Sequence, residues 1–87
     1  MQFRAQLWRY PGPGGWIFVT LPADAGLPVT GAFGRTPVRA TVDGKTWATS
    51  VWRTASGDVL LAVPKKVRAG KEPPAEVEVR VVFDVTR

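Results

Sequence analysis

Residues Glu76-Val77-Glu78-Val79-Arg80-Val81-Val82-Phe83-Asp84-Val85 decide the fold. Val77, Val79, Val81, Phe83 and Val85 fall on one side of an extended chain, and Glu76, Glu78, Arg80 and Asp84 on the other. Side chains of a strand point alternately to its two faces, so this period of two predicts a half-buried β-strand. The same period recurs upstream. Thr36–Asp43 sets Val38, Ala40 and Val42 against Arg39 and Thr41, and Gln2–Arg9 sets Phe3, Ala5 and Leu7 against Gln2, Arg4 and Gln6. Between them, Trp16–Leu21 is apolar on both faces and is expected to be buried or covered. Thr46–Arg53 and Val59–Val63 are the remaining strands. Asp43-Gly44 predicts a tight hairpin turn, since both central positions of that turn require positive φ, and Ser56-Gly57-Asp58 predicts the next turn. Helix is expected only as single turns after Pro22 and Pro64, stopped by Gly26 and Gly70, with each proline at the first helical position.

The strands fall into two similar series. Leu7-Trp8-Arg9 returns as Val51-Trp52-Arg53, each followed by a glycine-bearing turn. Ile17–Pro22 aligns with Val59–Pro64, and each proline precedes a short turn closed by glycine. Each series ends in an alternating strand, with Val38–Asp43 set against Val79–Asp84. Order of this kind predicts an internal duplication. Residues 2–43 should superpose on residues 46–84 through a pseudo-twofold, with Pro22 over Pro64 and Trp8 over Trp52. Two three-stranded units with one apolar face each must bury those faces together. Closing the six strands into a barrel also removes edges that invite aggregation. The expected architecture is therefore a small, closed, six-stranded all-β barrel. It is one domain over residues 1–87, with halves of approximately 1–43 and 44–87.

The bulk numbers agree. Eighty-seven residues suit one domain. There is no Cys and no His, so neither disulfides nor triads built on those residues are available, and the usual zinc site is excluded. Met1–Tyr10 carries Arg4 and Arg9 with no apolar run behind them, unlike a signal peptide, and Trp16–Val19 is too short to span a bilayer. A soluble, cytoplasmic protein with no membrane partner is the expectation. Twelve Lys and Arg against 7 Asp and Glu give a net charge of +5, which favours acidic partners.

Over nearly the whole length the succession of motifs is familiar. Phe3-x-Ala5-x-Leu7-Trp8, Gly15-Trp16-x-Phe18-Val19-x-Leu21-Pro22 and Val38–Gly44 are followed by Thr49-Ser50-Val51, Gly57, Leu61, Lys65–Arg68 and Val77-x-Val79 up to Asp84. This succession resembles the bacterial family catalogued as domain of unknown function 1905. The resemblance implies a small bacterial β-barrel, often fused to a second domain associated with bacteriocin protection, for which these 87 residues have no counterpart. It supplies no activity and no catalytic residues. Glu72-Pro73-Pro74-Ala75 departs from the Gly-Asp turn usual before the last strand. The strand–Pro–basic turn–Gly–strand element from Val63 to Val79 also looks like the swapped-hairpin AbrB transcription factors, which bind DNA as symmetric dimers. Here Lys65, Lys66, Arg68 and Lys71 have only Ala23-Asp24-Ala25-Gly26 as their first-half counterpart, so a symmetric basic surface is not expected.

Chemistry is sparse. Asp24, Asp43, Asp58 and Asp84 sit singly in turns or at strand ends, where side-chain bonds to backbone explain them. Glu76 and Glu78 read as a charge-balanced, solvated face, and no metal site, cofactor or catalytic residue is expected. Pro11-Gly12-Pro13-Gly14-Gly15 lacks the Lys-Ser or Lys-Thr of a phosphate loop and is expected to be a hairpin connection. Trp16 and Trp47 are expected to fill the barrel or close its ends. Trp8 and Trp52 lie out of phase with the apolar series, beside Arg9 and Arg53. They are expected to form a pseudo-symmetric pair, either as a small outer core with arginine stems packed over indoles or as a binding surface. The expected role is a non-enzymatic binding or interaction module for a protein or a small acidic ligand. The candidate site comprises Trp8, Arg9, Trp52, Arg53, Lys65, Lys66 and Arg68. One alternative is weak nucleic-acid binding through the Lys65–Lys71 turn, with Trp8 or Trp52 stacking on bases. Another is an enzyme built on an unrecognised Asp, Lys or Tyr site.

Overall fold

A computed structural model of the chain describes residues 1–12, 14–22 and 35–83. The helical turn expected after Pro22, the facing of Asp84 and Val85 and the burial of Phe83 lie outside the described residues and side chains. The strands are β1 (Gln2–Gln6), β2 (Trp8–Arg9), β3 (Ile17–Thr20), β4 (Arg35–Val42), β5 (Lys45–Arg53), β6 (Val59–Ala62) and β7 (Glu76–Phe83). One helical turn, α1 (Lys65–Arg68), stands between β6 and β7. Pro64 is its N-cap rather than its first helical residue, and Ala69 and Gly70 end it at positive φ.

All pairings are antiparallel, in the order β1-β7-β4-β5-β6-β3-β2. The two ends of this order are consecutive pieces of one segment. Ala5 pairs with Val77, the Leu7 N–H still donates to the Ala75 carbonyl at 2.9 Å, and Trp8 pairs with Phe18. The N-terminal segment therefore leaves β7 for β3 at Leu7, and the sheet returns nearly to a closed barrel. Taking residues 2–9 as one strand restores the expected six; the seventh arises from this change of partner. None of the helices among the described residues is long and apolar enough to cross a membrane.

Exchanging the halves leaves the strand order unchanged, because every neighbouring pair maps onto another neighbouring pair or onto itself. Registers agree where the tryptophans lie: Trp8 pairs with Phe18 and Arg9 with Ile17, as Trp52 pairs with Leu60 and Arg53 with Val59. The last strands need a correction. Ala5 opposes Val77 and Thr49 opposes Val38, so with Trp8 over Trp52, Val38 corresponds to Val77 rather than to Val79. The shift is two residues, which keeps each side chain on its face.

Alternation places the core. Leu7, Val19, Val38, Ala40, Val42, Val51, Leu61, Val77, Val79 and Val81 are each at most 1% exposed and belong to one cluster. Phe3, Ala5 and Trp47 pack against its margin. Val67 of α1 is buried in the same cluster, so the basic turn is anchored to the barrel.

Asp43 ties three elements together. It stands at φ 47 beside Gly44 at φ 86, the paired left-handed positions of the predicted turn. Its Oδ2 accepts from Lys71 Nζ at 2.6 Å and its Oδ1 from the Glu78 N–H at 2.9 Å. The Lys71 hydrogen bond, then the backbone N–H of Glu78, hold its carboxyl below the ordinary 3.8. A carboxyl lowered in the folded state stabilises the fold above its unfolded pKa, and that contribution is lost as pH falls through the folded value. Urea midpoints should therefore decline from pH 5 towards pH 2 more in the wild type than in Asp43→Asn. Equal declines would show that the contact does not favour folding.

Candidate functional site

Alternation also builds a second apolar cluster, on the outside of the barrel. With Ile17, Val19 and Leu61 in the core, Phe18 and Thr20 of β3 and Leu60 and Ala62 of β6 face outward. Cross-strand pairing places Trp8 beside Phe18 and Trp52 beside Leu60. The Phe18 ring centroid lies 5.4 Å from Trp8 and 5.6 Å from Trp52, the latter edge-on at 88°. Tyr10 adds a third ring at 6.1 Å. Phe18 is consequently only 6% exposed although it points away from the core. The Trp8 indole N–H donates to Thr20 Oγ1 at 3.0 Å. The expected pairing of Trp8 and Trp52 is thus realised through Phe18, between them.

Two aromatic residues at the margin of this cluster are largely exposed. Tyr10 is 52% and Trp16 60% exposed. The Tyr10 N–H donates to the Trp16 carbonyl at 2.8 Å, closing the Pro/Gly-rich connection. Trp16 corrects the expectation that it fills the barrel or closes its end: it precedes β3 on the same side as Phe18 and so belongs to the outer face. Gly14, at φ +92, has the Trp16 ring beside it, and a Cβ there would come within 3.1 Å of ring atoms Cδ1 and Nε1. The glycine lets the indole lie against the chain instead of folding onto the barrel.

An open groove of about 400 Å³ runs between Tyr10 and Trp16 at one end and Trp52 and Thr54 at the other, floored by Phe18 and Leu60. No acidic residue lines it. The Tyr10 hydroxyl and the indole N–H groups of Trp16 and Trp52 have no partner among the described residues. Arg35 pairs across from Trp52 and is exposed.

The predicted arginines serve the hairpins. Arg9 Nη1 donates to the Gly15 carbonyl at 3.1 Å, and Arg53 Nη1 donates to the Gly57 carbonyl at 3.2 Å. Consecutive strand residues point to opposite faces, so neither arginine stem lies over the indole before it. The basic turn is a separate feature, lining a cavity of about 670 Å³. Lys65 and Lys66 are exposed there, whereas Arg68 is 11% exposed and its Nη1 lies 3.2 Å from Glu72 Oε2. Glu72 also lies 3.6 Å from Arg9. Beyond it, the Ala75 N–H donates back to the Glu72 carbonyl across Pro73-Pro74, whose peptide bond is cis.

The remaining carboxylates among the described residues have structural partners, and Asp24 and Asp84 lie outside them. Glu76 lies 2.7 Å and Glu78 3.6 Å from Arg4 across the β1–β7 ladder, and Gln2 donates to Glu78 at 2.9 Å. Asp58 closes its turn, accepting from the Ser56 hydroxyl at 3.5 Å while its carbonyl accepts from the Thr54 N–H.

Sequence reading missed Tyr10, Trp16, Phe18 and Leu60 as one surface. The signal was present: Trp16–Leu21 is apolar on both faces, and a strand with a buried inner face and an apolar outer face needs a second cover.

No curated protein matches the chain. A family model, domain of unknown function DUF1905, matches residues 3–82, from β1 to the penultimate residue of β7. That match spans the whole barrel and gives no support to the likeness between Val63–Val79 and the swapped-hairpin regulators. The chain belongs to the DUF1905 family, and its barrel, aromatic groove included, is the family's domain in this protein.

Proposed function

We propose that this protein is a non-enzymatic interaction module, and that its docking surface is the aromatic groove on the outer face of β3 and β6. The supporting observation is the exposed pair Tyr10 and Trp16 beside a cluster that buries Phe18. Aromatic anchors of this kind dominate binding energy at protein interfaces. The charge distribution favours a protein over a nucleic acid. Of the four basic residues in the Lys65–Lys71 turn, Arg68 faces Glu72 and Lys71 bonds Asp43, leaving Lys65 and Lys66 for phosphates. Two contacts on duplex DNA correspond to a log–log salt slope of about −1.8, weak and sequence-blind. A catalytic role has little to draw on, since the single Tyr stands among rings and Asp43, Glu76 and Glu78 are engaged in ion pairs.

Selection from a random peptide library tests this. Binders enriched on the wild type should lose affinity at least tenfold on Trp16→Ala, change little with salt, and be unaffected by Lys65→Ala/Lys66→Ala. Short duplex and single-stranded oligonucleotides should bind only weakly and lose affinity at physiological salt. Sub-micromolar, sequence-selective oligonucleotide binding that vanishes in Lys65→Ala/Lys66→Ala would replace the proposal with the nucleic-acid reading.

A further inference from the structure

Resting on that reading of the groove, we infer that its occupant is a short proline-bearing segment in the extended polyproline conformation, flanked by an acidic residue. The groove offers two N–H donors and no carboxylate: the Trp16 and Trp52 indole N–H groups and the Tyr10 hydroxyl stand unpartnered among the described residues, set in apolar walls. Its complement is a chain with free carbonyls and few N–H groups to bury. Polyproline II makes no internal hydrogen bonds, and each proline removes a backbone donor while adding an apolar ring to lie on an aromatic face.

Other occupants fit less well. β3 and β6 are each paired on both sides, so this face has no strand edge for a partner strand to extend. Stable association of two folded surfaces takes about 20–30 residues a side, and this groove is walled by six residues. A segment, not a second copy, matches that size.

Charge places one end of the segment. No acidic residue lines the groove, and Arg35, unpaired among the described residues, stands across from Trp52. An acidic residue of the segment is placed at the Trp52 end, and a cationic segment is disfavoured.

The test uses a ten-residue peptide with two Pro-x-x-Pro steps and a C-terminal glutamate, followed by tryptophan emission. Binding to the intact protein should weaken at least tenfold when the prolines become alanine, and likewise in Trp16→Ala. Replacing the glutamate by lysine should weaken it several-fold, with Arg35→Glu reversing that preference. A leucine-rich amphipathic helical peptide is the comparison. If the helical peptide binds in a Trp16-dependent way and the proline peptide does not, the polyproline inference is overturned and the docking surface stands. If no peptide binds in a Trp16-dependent way, both fall.

Discussion

Leu61→Ala is expected to destabilise the barrel by about 2–5 kcal/mol, the range for truncating a buried leucine whose surroundings relax only in part. Leu61 sits between Val19 on β3 and Val51 on β5, and all three are 0% exposed. Strands packed on both sides cannot move in to fill the space, so the cost belongs in that range. A domain of 87 residues has roughly 4–13 kcal/mol of stability in total. At about 4–8 °C per kcal/mol for this size, the melting temperature should fall by at least ~8 °C. A shift of one or two degrees would mean that the inner face of β6 had been assigned wrongly, since a one-residue slip moves Leu61 outside and Leu60 in.

Phe18→Ala is expected to cost about 3–5 kcal/mol, as much as a core truncation, although Phe18 points away from the core. The reason is its cover. Trp8, Tyr10 and Trp52 each pack a ring against it, and all three lose that contact together. Aromatic pairs contribute about 0.5–1.5 kcal/mol beyond the area they bury. Urea denaturation of the variant gives the value directly. A change below about 0.5 kcal/mol would show that the outer cluster does not stabilise the barrel, and the groove would then lack a fixed floor.

The barrel was legible in the sequence because its inner face keeps a period of two on β4 and β7. Val77, Val79 and Val81 are buried as read, and the Trp-Arg repeat located the two halves correctly against their hairpins. What escaped was which strand piece pairs with which. Leu7 looks like any other inward residue, and nothing local marks it as the point where the chain changes partner. The two-residue offset between Val38 and Val77 escaped for a related reason, because a shift by two preserves every facing and leaves no trace in the pattern.

The site was half legible. Trp8 and Trp52 stood out by being out of phase, and they do meet around one ring. Arg9 and Arg53 were grouped with them by adjacency in sequence, whereas on a strand adjacency sends side chains to opposite faces. Trp16, expected to fill the barrel or close one end, is 60% exposed instead. Its parity with Phe18 points outward, and the neighbouring Gly14 gives the indole somewhere to lie other than the core.

The outer aromatic residues divide into a supporting set of Trp8, Tyr10 and Trp52 around Phe18, and a presented indole, Trp16. The melting temperature of Trp16→Ala beside that of Phe18→Ala tests this division most directly. An indole 60% exposed and held for a ligand contributes little to the unliganded fold. Trp16→Ala should therefore melt within about 2 °C of the wild type while Phe18→Ala melts more than ~10 °C lower. A fall in Trp16→Ala as large as that in Phe18→Ala would contradict the account, since Trp16 would then be part of the barrel's support and not a surface kept for a partner.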